Sequence, residues 1–130
     1  MAEAFAKRYG SDVLEPASAG FAPAGGIPEL TVLVMDEKNI SMDGHYPKGM
    51  DAHSGSSFDL VVNMSGYKLS SKVTTRVEYW NVRDPIGEEG AVYREVRDQI
   101  EGLVMRLILS ARSEQRDRAP EVRRPRFLRN

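Results

Sequence analysis

An α/β fold, three-layered as α/β/α with a mostly parallel sheet, is what this sequence of 130 residues predicts. Three observations carry that expectation. Element types alternate along the chain in the order helix, strand, helix, loop, strand, strand, helix. Leu60-Val61-Val62 is a continuous apolar run, as expected of a strand buried on both faces. Val92, Val96, Ile100, Val104 and Ile108 recur at helical spacing, with Leu103 and Leu107 widening the stripe.

Taken in order, Met1 to about Tyr9 reads as a helix. Met1, Phe5 and Tyr9 fall on one face, alanines fill the turns, and Gly10 stops it. Val13 to Ala19 reads as a short strand ended by Gly20. Phe21 to Gly26 is a Pro/Gly loop, and Gly25-Gly26 lacks the Lys-Ser/Thr of a nucleotide-binding loop. Pro28 stands where a first helical residue is expected, and Leu30, Leu33 and Val34 share a face up to about Lys38. Asn39 is the expected stop. Ser41 to Ser57 is polar and rich in Gly and Pro, so it reads as loop with one helical turn. Val73, Thr75, Val77 and Tyr79 alternate with Thr74, Arg76, Glu78 and Trp80, a strand pattern. Asp84 to Gly90 is a loop. The closing helix has Glu88 and Glu89 near its start and Arg106 and Arg112 near its end, matching the helix dipole.

Composition narrows the function. With 41% hydrophobic and 28% charged residues the chain is ordinary globular material. A net charge of −1 points neither to nucleic acid nor to an anionic membrane. No apolar run approaches membrane-spanning length and no signal peptide is visible, so a cytoplasmic location is expected. The sequence has no Cys. That excludes disulfides, thiolate zinc sites, iron–sulfur clusters and a cysteine nucleophile within these residues. No cofactor is expected. His45 and His53, with Asp43 and Asp51 nearby, are too widely spaced in a polar loop to imply a metal site. Seven Arg and three acidic residues lie between Arg112 and Asn130, a local charge of +4 that leaves the rest near −5. The expected organisation is therefore one domain over residues 1–112 and a flexible basic tail over 113–130.

The chain opens inside a helix, with nothing ahead of Met1 to cap the first free N–H groups. In α/β folds a strand and a turn usually lead into such a helix, whose N-terminus is where anions bind. Sequence logic thus expects a further element in front.

At this point several segments resemble the low-molecular-weight protein tyrosine phosphatases and the arsenate reductases that share their fold. Met1-Ala2-Glu3-Ala4-Phe5 is similar to the stretch that follows the family's Cys-x5-Arg phosphate loop. Ser18-Ala19-Gly20, then Pro23 and Gly25, resembles its Ser-Ala-Gly-Thr strand exit with Phe21 for Thr. Ser41-Met42-Asp43-Gly44-His45 resembles its Ser-Gly-His stretch with an insertion, and Phe58-Asp59-Leu60-Val61-Val62 its buried strand. Trp80-Asn81-Val82-Arg83-Asp84-Pro85 resembles the Trp-x-x-x-Asp-Pro run that carries the general acid.

The resemblance implies a phosphotyrosine phosphatase I-like fold whose first, central strand and phosphate loop are absent from this sequence. It implies that Asp84 is the acid that protonates a leaving oxygen, and that Ser18 hydrogen-bonds the phosphate loop in the parent. The family's nucleophile is a low-pKa Cys, which no residue here replaces; Ser65 has no base placed to activate it. Two readings follow. Met1 is a mis-assigned start and the longer protein is an active phosphomonoester hydrolase acting on a phosphorylated protein or small phosphomonoester, the reading preferred here. Alternatively the chain is an inactive relative that binds partners or assembles. An arsenate reductase parent ranks lower, because its electron relay uses further Cys residues after the buried strand, where this chain has Asn63-Met64-Ser65-Gly66-Tyr67-Lys68. Loss of a central strand leaves backbone ladders unpaired, so a homodimer or strand-swapped oligomer is expected.

Overall fold

The computed structural model describes residues 1–20, 25–53, 57–69 and 75–118. Helix α1 spans Ala2–Gly10, α2 spans Glu29–Asp36 and α3 spans Gly90–Arg118. A 3-10 turn occupies Met50–His53. Strands β1, Leu60–Asn63, and β2, Arg76–Tyr79, pair in parallel with Leu60 opposite Arg76 and Asn63 opposite Tyr79. Trp80 extends the ladder by one bond, its N–H donating to the Asn63 carbonyl at 3.0 Å.

The elements form where local chemistry permits. Asn39 ends the α2 region in the left-handed conformation, φ 59°, which Asn tolerates better than most residues. Pro28 is the N-cap of α2 rather than its first helical residue. No side chain caps α1. Its Phe5 N–H donates to the Met1 carbonyl at 3.1 Å.

Both α1 and α2 pack on α3. The core joins Phe5 from α1, Met35 from α2 and Val96, Ile100, Val104 and Ile108 from α3, with Ile40 and Met42 from the following loop. Phe5, Met35 and Ile108 are fully enclosed. Gly10 is a point of close approach: a Cβ there would lie 2.6 Å from Ile108 Cγ1. Arg112 of α3 ties down the end of α1, donating to the Tyr9 carbonyl at 2.9 Å and to both carboxylate oxygens of Asp12 at 3.0 and 3.1 Å. Arg97 does the same for α2. Its guanidinium is buried and donates to the Val34 carbonyl at 2.9 Å, Glu37 at 2.6 Å and Asp98 at 2.9 Å.

Three expectations are corrected. Residues 14–19 form no strand; the sole ladder contact there is the parallel bridge of Gly20 with Gly49. A strand exists only where a neighbour completes its ladder, and the polar groups of Ser18 are taken instead by Glu3 and His53. Leu60, Val61 and Val62 are only half-buried. Among the described residues β1 pairs along one edge alone, and a sheet of two strands cannot enclose them. The closing helix runs on to Arg118, six residues past the expected boundary at 112. The remainder of the basic tail, 119–130, lies outside the described residues, as do Phe21, Pro23, Val73 and Thr74.

Candidate functional site

Parallel strands end together, so the loops that follow β1 and β2 meet at one rim. There a groove of about 710 Å³ opens. Met64, Val82 and Ile100 contribute apolar lining, and Tyr67, Tyr79 and Trp80 aromatic lining. Asn63, Ser65, Asn81, Lys68 and Asp84 supply the polar groups. A concave apolar site with a few convergent polar groups is the expected form of a ligand pocket.

Asn63 braces the loop that follows β1. It is buried at the end of β1 and uses both ends of its amide. Nδ2 donates to the Tyr67 carbonyl at 2.7 Å, and Oδ1 accepts from the Ser65 amide at 2.9 Å and the Ser65 hydroxyl at 2.7 Å. Gly66 supplies the positive φ, 81°, that the turn requires. Ser65 is thus a brace of this loop. Its hydroxyl proton goes to Asn63, which is no base, so no activated nucleophile is formed.

Asp84 also lines the groove. Its Oδ1 accepts the Ile86 amide at 3.0 Å, an Asx turn that points the exposed carboxylate at the groove rim. Gly87, φ 82°, and the Glu88 amide donating to Pro85 carry the chain round into α3. Arg83 pairs with Glu88 at 2.9 Å across the same turn. Trp80 is oriented by its indole N–H, which donates to Glu78 at 3.3 Å.

Ser18 lies elsewhere. It borders a smaller hollow of about 230 Å³ with Gly20, Tyr46 and Lys48, and neither hollow contains both Ser18 and Asp84. Its hydroxyl donates to Glu3 at 2.6 Å, and its carbonyl oxygen is 2.8 Å from His53 Nε2. Glu3 is the hub at the start of α1. It also meets Lys7 at 3.1 Å, Lys48 at 3.5 Å and His45 at 3.8 Å. Burial pushes the Glu3 carboxyl up, but the Ser18 and Lys7 hydrogen bonds and the charge of Lys48 outweigh it and bring its pKa down to about 2. Burial lowers the pKa of the Met1 amino group beside it, against the opposing pull of Glu3. His45 and His53 make these separate contacts. Among the described residues no three His, Cys, Asp or Glu are placed to hold a metal. No helix among them is long and apolar enough to cross a membrane.

One residue of the groove, Asn63, and one of the Ser18 cluster, Glu3, are not singled out by the sequence. Asn63 was hidden as the last residue of an apolar strand; a polar amide closing Leu-Val-Val, with Ser two residues on, was its only signal. Glu3 was read as part of a motif, and nothing local shows that Ser18, His45 and Lys48 converge on it.

The model of the low molecular weight phosphotyrosine protein phosphatase family matches residues 1–118. The chain belongs to that family. Among curated relatives it is 29% identical over 112 residues to a glutaredoxin arsenate reductase of Synechocystis, covering 83% of this chain and 85% of that protein. It is 32% identical over 104 residues to arsenate reductase 1 of Bacillus cereus, covering 77% of each. Among solved structures it superposes with a TM-score of 0.75 on an arsenate reductase in the phosphate-binding state, at 26% identity over 85% of this chain and 86% of that one. These matches bear out the α/β class and the family read from the sequence. They give the arsenate reductase branch at least as much support as the phosphatase branch, against the order of preference drawn from the missing thiols alone.

Proposed function

We propose that this chain carries the acid-bearing half of a phosphatase- or arsenate reductase-type site and performs no thiol chemistry of its own. The observation that carries this reading is a groove lined by Asp84 in a sequence that has no Cys. Both branches of the family accommodate a tetrahedral oxyanion or its ester. In a hydrolytic site of this type Asp84, as carboxylic acid, would give its proton to the leaving oxygen. Trp80 and Tyr79 line the same groove, and Asn63 braces the loop that follows β1. None of the 130 residues supplies a nucleophile that forms a covalent intermediate. Phosphorylated protein or a small phosphomonoester remains the ligand class for a complete site, with arsenate as the alternative set by the relatives. Ser18, bound to Glu3, is a support of the α1 start in this reading.

The test is direct. The purified 130-residue chain is assayed for hydrolysis of an aryl phosphate and for arsenate reduction with glutaredoxin or thioredoxin supplied. Rates equal to the uncatalysed control are expected in both. Turnover in either assay that is lost in Asp84→Asn would overturn the absence of chemistry while retaining the site.

A further inference from the structure

We propose that Asp43–Gly44 is a site of spontaneous isoaspartate formation, and that the longer main chain it leaves slackens the loop holding His45 and Lys48 against Glu3. It is the one place in the sequence where Asp or Asn precedes Gly. Residues 42–45 form a turn closed by the His45 N–H, which donates to the Met42 carbonyl at 3.1 Å. Gly44 takes a positive φ, 81°, which glycine adopts without strain. Asp43 and Gly44 are both exposed, and a Cβ on Gly44 would meet nothing within 4 Å. Among the described residues nothing accepts the Gly44 N–H, and nothing pairs with the Asp43 carboxylate. The attacking nitrogen and the carbon it attacks are both unencumbered.

The step needs only the chain and water. The Gly44 nitrogen bonds to Asp43 Cγ and a five-membered succinimide closes. One carboxyl oxygen leaves as water, taking the N–H proton and a proton from solvent. Water then opens the ring. Breaking the bond from nitrogen to Cγ returns Asp. Breaking the bond from nitrogen to the backbone carbonyl carbon leaves the main chain running through Cβ and Cγ. It is then longer by one carbon–carbon bond, about 1.5 Å.

The other aspartates lack this freedom. Asp84 precedes Pro85, which has no N–H. Asp36, Asp98 and Asp117 lie in helices. The Val13 amide after Asp12 and the Ala52 amide after Asp51 each donate to a backbone carbonyl. Asp59 is followed by the bulky Leu60.

The added length has one direction to go. Met42, just before the turn, is a core residue, 8% exposed, and a close-packed interior resists its displacement. After the turn, His45 Nδ1 and Lys48 Nζ lie 3.8 and 3.5 Å from Glu3, and the Lys48 carbonyl accepts the Gly20 N–H at 2.9 Å. These longer, exposed-loop contacts are the ones that give.

The purified chain is incubated at neutral pH, and isoaspartate is counted as methyl groups accepted from S-adenosylmethionine with a protein isoaspartyl methyltransferase as reagent. Methyl acceptance is expected to grow with time, to map to the peptide containing residue 43, and to be lost in Asp43→Glu, whose ring would have six members. A synthetic peptide of residues 40–47 gives the rate without the fold, and a comparable rate is expected in the chain. No growth, or growth unchanged in Asp43→Glu, overturns the proposal. So does a chain rate more than about tenfold below the peptide's, about 1.4 kcal/mol of added barrier, since the folded turn would then shield the site. The isomerised fraction, separated by ion exchange, is expected to have a lower urea midpoint than the unmodified chain, and the shift is expected to shrink in Glu3→Gln. An equal shift in the two backgrounds overturns the slackening at Glu3.

Discussion

Glu3 shows how much one carboxylate can organise. Its side chain is 9% exposed, yet it stays ionised because Ser18, Lys7 and Lys48 converge on it. A carboxyl whose folded pKa lies near 2, against 4.5 when unfolded, contributes stability that is fully present above about pH 4.5. That contribution is lost as pH falls from 4.5 toward 2. Glu3→Gln is expected to cost about 1–3 kcal/mol at neutral pH. It is also expected to flatten the fall in denaturation midpoint between about pH 5 and about pH 3. An unchanged acid limb in the variant would show that the pH dependence comes from other groups. From sequence the residue was visible only as a motif letter. Its partners are 15 residues away in the case of Ser18, and long-range convergence leaves no local pattern.

At the scale of elements, the helices were the legible part. The stripe from Val92 to Ile108 is the buried face of α3, because 3.6-residue periodicity is a local signal that needs no partner to be read. The strands were less so. Val13 to Ala19 has the composition of a strand, but a strand is defined by a neighbour that composition does not name. Asp84 is singled out in the sequence through its Trp-x-x-x-Asp-Pro context, whereas the groove it lines with Asn63 is not, since the two loops that carry them come together only after the two strands pair. The sharpest element-level test concerns α1 on α3. Gly10→Ala places a methyl against Ile108, and overpacking of this kind is expected to cost about 1–3 kcal/mol. Trimming the obstacle with Ile108→Val should return part of that loss, so the two changes should be non-additive in urea denaturation. Strict additivity would mean that the helices separate to relieve the clash.

For the whole molecule, the edge of β1 that no described strand pairs bears on assembly. Leu60 and Val62 turn their backbone groups away from β2, since Asn63 turns its carbonyl toward it and alternate residues face opposite edges. Among the described residues no strand pairs on that side. Half-buried apolar edges of this kind recruit a further strand. We therefore propose a homodimer or strand-swapped oligomer as the solution state. Size-exclusion chromatography with light scattering should return at least twice 14.5 kDa at micromolar concentration. A purely monomeric profile would mean that the edge is closed within one chain.

The anchoring of α1 by α3 has a consequence for how the protein is made. Asp12 and Arg112 stand 100 residues apart in sequence, and Tyr9 and Glu101 stand 92 apart. On a ribosome adding about 5–20 residues per second, α1 therefore emerges about 5–20 seconds before the helix that shelters Phe5. Through that interval its apolar face lacks α3, the helix it packs against. Newly made α1 is thus the segment most exposed to chaperones and to other nascent chains, and slowing translation between α2 and α3 should lower the soluble yield more than slowing it anywhere after α3.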